Sequence, residues 1–194
     1  MPMPQKDKRY TYADYYTWDD EKRRELIDGI PYEMFPDETR AMSPAPTWPH
    51  QSISSEMHYQ LATFLRGKPC KVYTAPFDVR LNGNGDDDPD VVQPDLVVIC
   101  DQLKLDIKGC NGAPDMVVEI LSPSTARRDK TIKFNKYQQA GVREYWIIDP
   151  DIKILSTHIL TDSGYITRAY SETDTVPVHV LEGCEINLTD VFTL

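Results

Sequence analysis

The chain lacks any apolar run long enough to span a bilayer, and its opening Met1-Pro-Met-Pro-Gln-Lys6 has no hydrophobic segment of the signal-peptide kind. A soluble cytoplasmic protein with no membrane partner is therefore expected. It also lacks a glycine-rich phosphate loop, a nucleophile elbow and a dinucleotide fingerprint, which argues against the common kinase, hydrolase and dehydrogenase classes. Cysteine is scarce: Cys70, Cys100, Cys110 and Cys184 show none of the close pairing of a zinc site, and four are too few for a disulfide framework in 194 residues. They are read as reduced packing residues. Positive charge is short as well, with 21 Lys and Arg against 31 Asp and Glu, and a net charge of -10 excludes a protein that coats nucleic acid non-specifically. No internal repeat or Ser/Gly linker divides residues 1–194, so a single domain is expected, with residues 1–9 as a polar lead-in.

What is present suffices for a core: 40% of the residues are hydrophobic and 10% aromatic. Thr11 can cap a short helix through Tyr15-Tyr16, and Glu25-Leu-Ile-Asp-Gly-Ile-Pro-Tyr-Glu-Met34 reads as two strands joined at Asp28-Gly29. Residues 36–49 are proline-rich and irregular. Ile53, Met57, Leu61, Phe64 and Leu65 then form the stripe of a helix over residues 50–66. Strands are predicted over 70–75 and 77–81, an exposed loop over 82–90, and two further strands beginning at Asp95 and Met116. In the loop, Asn82, Asn84 and Asp86 alternate as in a calcium site, but Asp87 stands where glycine is required and Gln93 where the bidentate Glu belongs. Ser124 or Thr125 can cap a helix that runs to Ala140 and stops at Gly141, and Arg143–Asp149 is the next strand. Strands over 152–160, 165–170 and 177–181 and a short helical turn over 188–192 complete the chain. The strand-helix-strand unit over 115–149 places a parallel pair in a mixed sheet.

Two acids stand out. Asp95-Leu-Val-Val-Ile-Cys100 and Met116-Val-Val-Glu-Ile-Leu121 are apolar strands, and an unpaired carboxylate in such a strand is costly. Because side chains alternate, Glu119 shares a face with Val117 and Leu121 and is the only polar group on it. Asp95, directly after Pro94, sits at a strand end. A divalent cation between the two removes the cost and supplies a Lewis acid, and oxygen ligands completed by water, phosphate and the Ile120 carbonyl suit Mg²⁺ or Mn²⁺ better than zinc. Hydrolysis of a phosphodiester also needs an amine near the metal to orient or deprotonate water. Lys133 is the first choice, since it shares a helical stripe with Tyr137 and Ala140. Residues 122–144 hold six basic side chains against two acidic ones, so this segment is +4 and the remainder is -14. Arg127, Arg128, Lys130 and Lys136 are the candidates for contacts to backbone phosphates.

Glu25-Leu-Ile-Asp-Gly29, His50, Gln93-Pro-Asp-Leu-Val-Val98, Gly112-Ala-Pro-Asp-Met-Val-Val-Glu-Ile-Leu-Ser-Pro-Ser-Thr125, Asp129, Lys133, Tyr137 and Gly141-Val-Arg-Glu-Tyr-Trp-Ile-Ile-Asp149 together resemble the Uma-type restriction endonucleases, within the PD-(D/E)XK nuclease superfamily. The resemblance runs from about Tyr10 to the C-terminus. It implies an α/β (α+β) fold with a restriction-endonuclease-like core, a mixed sheet flanked by helices with added antiparallel strands, and Asp95 and Glu119 as metal ligands. The lysine that the superfamily carries two residues after its second acid is Leu121 here, and the resemblance implies that its role has moved to Lys133. It also hints that Glu25 approaches the metal site, and it includes His50.

Each assignment has a plainer alternative. Glu119 can be a salt-bridge partner, with Lys133 as counter-ion; Lys133 can be a surface lysine covering apolar residues; Glu25 can be an edge-strand acid, and Tyr137 a core aromatic. The expected function is a Mg²⁺- or Mn²⁺-dependent DNA endonuclease acting on duplex DNA as a homodimer. The rival is a non-catalytic binding or assembly module that keeps the nuclease core.

Overall fold

The computed structural model describes residues 8–19, 22–34, 47–123 and 125–193. Ser124, most of the proline-rich stretch and residues 1–7 of the expected lead-in lie outside the described residues. Helix α1 (Tyr12–Tyr15) begins at Thr11, whose N–H donates to Asp14 Oδ2 at 3.1 Å. Strands β1 (Arg24–Ile27) and β2 (Ile30–Glu33) follow, joined at the expected turn. Asp28 and Gly29 both have positive φ, the conformation that a two-residue hairpin of this hand needs. A side chain at Gly29 would also meet the Tyr10 carbonyl oxygen at 2.9 Å. Helix α2 (Trp48–Leu65) comes next, then β3 (Lys71–Thr74), β4 (Val79–Arg80), β5 (Val91–Val92), β6 (Leu96–Ile99), β7 (Leu105–Asp106), β8 (Gly109–Asn111) and β9 (Met116–Ile120).

The basic helix is not uniform. It opens as α3 (Ala126–Arg128), widens into a π-helical turn over Asp129–Lys133, and closes as α4 (Phe134–Ala140), ending at Gly141 in the left-handed conformation. Thr125 precedes it without a capping bond; its hydroxyl lies 3.0 Å from Ser122 Oγ. Strands β10 (Glu144–Asp149), β11 (Ile154–Thr161), β12 (Gly164–Ser171), β13 (Thr175–Pro177) and β14 (Glu185–Asn187) and helix α5 (Leu188–Val191) end the fold. Of the strand expected over 177–181, Pro177 ends β13 and the rest belongs to the link between β13 and β14, whose register is Thr175 to Asn187 and Pro177 to Glu185. Among the described residues, no helix is long and apolar enough to cross a membrane.

Two six-stranded sheets result. One has the order β2-β1-β5-β4-β8-β7 and the other β12-β11-β10-β9-β6-β3, and β13 and β14 form a small separate pair. In the second sheet β9 and β10 are parallel, joined through the α3–α4 helix, and the remaining pairs are antiparallel, so the sheet is mixed as expected. Helix α2 covers one face. Its Ile53, Met57 and Leu61 are fully buried against Leu96, Val98, Met116, Val118 and Trp146, each worth about 1.5–3 kcal/mol of apolar burial. The opposite face carries Val97, Val117, Leu121, Tyr145 and Ile147, packed with Tyr137 of α4 and with Val79 and Val92 of the first sheet. Strand alternation along β9 is as the sequence implies: Val117 and Leu121 face this second core.

The cysteines need correction. Cys70 and Cys100 form a disulfide, because the β3–β6 register of Lys71 to Ile99 puts the preceding and following residues opposite each other. Only Cys110 and Cys184 are free and buried.

Candidate active site

The antiparallel register of β6 and β9, Leu96 to Val118, brings Asp95, just before β6, opposite Glu119 near the end of β9 in the middle of the sheet. Asp95 is fixed there by its Oδ2, which accepts the Ile120 N–H at 2.7 Å. Its Oδ1 lies 3.3 Å from His50 Nε2, delivered by the first turn of α2. Burial alone would lower the His50 pKa, but the Asp95 carboxylate and the Ile120 carbonyl outweigh it and raise it. His50 Nδ1 is buried, with no hydrogen-bond partner among the described residues.

Behind this pair lies a closed ionic cluster. Lys133 Nζ sits 2.5 Å from Glu119 Oε1, 2.8 Å from Glu25 Oε1 and 3.6 Å from Asp129 Oδ1, and only 2% of the lysine side chain is exposed. The π-helical turn carries both Asp129 and Lys133, which lie four residues apart on one face of the helix and are both buried. Tyr137 donates its hydroxyl to Glu119 Oε1 at 2.7 Å. Glu25 also accepts the Gln93 N–H at 3.1 Å and lies 3.3 Å from Arg128.

Three carboxylates share one ammonium and one guanidinium. Burial and the neighbouring Asp129, Asp95 and Glu25 charges push the Glu119 carboxyl well up, against the pull of Lys133. Burial likewise raises Asp129. Glu25 goes the other way: burial would raise it, but Lys133, the Gln93 N–H and Arg128 hold it below the usual carboxylate range. Burial would lower Lys133, yet the three acids more than compensate and keep it protonated. Glu119 and Asp129 are thus the acids of this cluster whose protonated forms burial favours, and Lys133 serves as a charge and hydrogen-bond donor; a protonated amine cannot deprotonate water.

The structure therefore brings Asp95, Glu119, Lys133, Glu25, His50 and Tyr137 into one connected set. It draws in Asp129 and Gln93 as well, which the sequence carried only as part of the family resemblance and without a role at the site. The candidate phosphate-contacting residues divide differently. Arg128 is engaged by Glu25 and the Glu33 carbonyl, Lys130 by Asp149 at 3.2 Å, and Lys136 by Asp28 and Asp90. Arg127 is exposed, with no acidic partner among the described residues.

Among the described residues, no three His, Cys, Asp or Glu side chains form a protein-only metal cage. The chemistry of the donors nevertheless suits a hard cation: two carboxylates and the Ile120 carbonyl, already facing the His50 imidazole and the Lys133 ammonium, are the sparse oxygen set that Mg²⁺ would complete with water and phosphate.

A family model described as "Uma2: Putative restriction endonuclease" matches residues 12–189. The chain belongs to the Uma2 family. Among solved structures, the Uma2 chain is similar to one described as a "putative nuclease belonging to DUF820" from Anabaena variabilis, with a TM-score of 0.71 at 20% identity over 94% of this chain and 97% of that one. This likeness shows the shared fold. No curated protein matches this Uma2 chain.

Proposed function

We propose that this Uma2 protein is a Mg²⁺- or Mn²⁺-dependent nuclease that hydrolyses phosphodiester bonds in DNA. The observation that carries the reading is the position of Lys133: with Leu121 packed in the core where the superfamily lysine belongs, the ammonium reaches Glu119 from the helix instead. Asp95 and Glu119, with the Ile120 carbonyl, would hold the metal, which supplies Lewis acidity to the phosphate and lowers the pKa of a bound water. Asp95 is oriented for this by the Ile120 N–H, and Glu119 by Tyr137. Lys133 stays protonated, steadies the ionised form of Glu119 and holds Glu25 in place. In the reaction a water oxygen bonds to phosphorus as that water gives up a proton to solvent, and the bond to the departing sugar oxygen breaks with its electron pair remaining on that oxygen, which takes a proton from solvent. A twofold homodimer would present one such site to each strand of a duplex.

A second reading has its own support: the Lys133 cluster is closed and nearly neutral, as in a purely structural ion-pair network. The two readings differ in their response to metal. With Mn²⁺ at about 100 times its dissociation constant, binding should stabilise the fold by about 2.7 kcal/mol, read as a raised Tm. Asp95→Asn and Glu119→Gln should abolish that shift together with Mn²⁺-dependent cleavage of plasmid DNA. A Tm indifferent to Mg²⁺ and Mn²⁺, with no cleavage, would leave the non-catalytic module.

A further inference from the structure

The side chains best placed to hold the nucleic acid lie away from the basic helix, where carboxylates already engage Arg128, Lys130 and Lys136. A cleft of about 320 Å³ opens in front of Asp95, with Arg23, His50, Ser54, Ser55, His58 and Thr74 among its lining residues. His50, Ser54 and His58 recur every four residues along α2 as a half-buried strip that flanks the face burying Ile53, Met57 and Leu61. Among the described residues, Asp95 is the only carboxylate in the lining. Arg23 is aimed without being neutralised: its Nε and one terminal nitrogen both donate to the neutral Gln93 Oε1, at 3.2 and 2.9 Å. Among the described residues, no carboxylate pairs with it. In a chain of net charge -10, a cleft with a free guanidinium, two imidazoles, three hydroxyls and one acid has the donor chemistry of a phosphate seat.

We propose that this α2-lined cleft seats the sugar–phosphate backbone of the nucleic-acid strand on one side of the bond held at Asp95. Arg23 grips one phosphate through its unused terminal nitrogen, and Ser54 and His58 donate to the next. His50 to His58 spans about 12 Å of helix, the length of about three nucleotide steps at a rise of about 3.4 Å. The assignment rests on the nuclease reading and names the surface that binds its substrate.

The test is fluorescence anisotropy with a labelled 20-base-pair duplex, and with the same sequence as a single strand or as RNA, in EDTA and over a salt series. Arg23→Ala and His58→Ala should each weaken binding about tenfold, and Arg23→Ala should lower the slope of log K against log salt by about 0.9. Ser54→Glu, which puts a carboxylate into the cleft at a half-buried position of α2, should weaken it at least as much, with an unchanged far-UV circular dichroism spectrum as the check on folding. Arg168→Ala, on the exposed β12, serves as the neutral control. The seat is overturned if the Ser54→Glu and His58→Ala proteins bind as the wild type does, or if Arg127→Ala alone causes the loss. Wild-type protein that binds none of the three nucleic acids overturns both the seat and the nuclease reading. Cleft-dependent binding without Mn²⁺-dependent cleavage upholds the seat and removes the nuclease reading alone.

Discussion

Lys133 is the residue on which the charge balance of the site turns. Replacing it with Met would leave Glu25, Glu119 and Asp129 facing one another in a buried space with only Arg128 to compensate, and breaking a buried pair in this way costs about 3–5 kcal/mol. The pH dependence has a definite sign. Without the ammonium the folded-state pKa values of the acids rise, the folded protein binds more protons than the unfolded one, and stability increases as pH falls. Chemical denaturation of Lys133→Met should therefore show a large loss at pH 7.5 that shrinks toward pH 5.5; a loss constant over that range would mean that the lysine acts through packing alone. At this scale much was legible. Asp95 and Glu119 announced themselves as acids in apolar strands, and Lys133 and Tyr137 as a shared helical stripe. Glu25 was legible only through the family resemblance, because a lone acid on a short strand carries no pattern. The fate of Arg128, Lys130 and Lys136 was not legible, since a count of basic residues is silent about partners from distant segments such as Asp28, Asp90 and Asp149.

Among the elements, β3 is the edge of its sheet and is tied to the end of β6 by the Cys70–Cys100 disulfide. The bond closes a loop over a sequence separation of 30, for which the chain-entropy argument gives about 3–4 kcal/mol as a ceiling. Reduction should lower the Tm by about 5–10 °C, and Cys70→Ala/Cys100→Ala should unfold at the reduced temperature whether or not reductant is present. Equal melting of the oxidised and reduced wild type would show that pairing with β6 alone secures the strand. This bridge escaped sequence reasoning because distant cysteines carry no pairing signal until strand register is known. The helix over 126–140 was located correctly, but its π-helical turn was not, as periodicity cannot distinguish a widened turn from an ordinary one over five residues. Strands β4, β5, β7 and β8 are two or three residues long, too short to display alternation.

At the scale of the whole molecule, the two large sheets share one buried cluster, in which Val79, Leu81 and Val92 of the first segment meet Val97, Val117, Tyr137 and Tyr145. Neither surface can leave without exposing the other, so the sheets should unfold together. Trp18 packs against the N-terminal cluster beside the first sheet and Trp146 is buried within the second, which provides a reporter for each. Variants retaining one or the other tryptophan should each show a fluorescence transition coincident with the far-UV circular dichroism of the same protein. Separated midpoints would reveal two independent units. The mixed architecture was legible from alternating strands and a helix between two apolar runs, whereas the partition into two sheets depends on contacts among short segments. The widened turn at Asp129–Lys133 also stores the spare residue of this helix, because a turn closed by i→i+5 bonds holds one residue more than an α-helical turn. Losing one residue within it can tighten it to an ordinary turn, whereas losing one from Phe134 to Lys136 would rotate every later helical position by about 100°, swinging the Tyr137 ring off the sheet and its hydroxyl away from Glu119. Slack in length is thus confined to a single turn, and beyond it the phase of the helix is as restrictive as any core side chain.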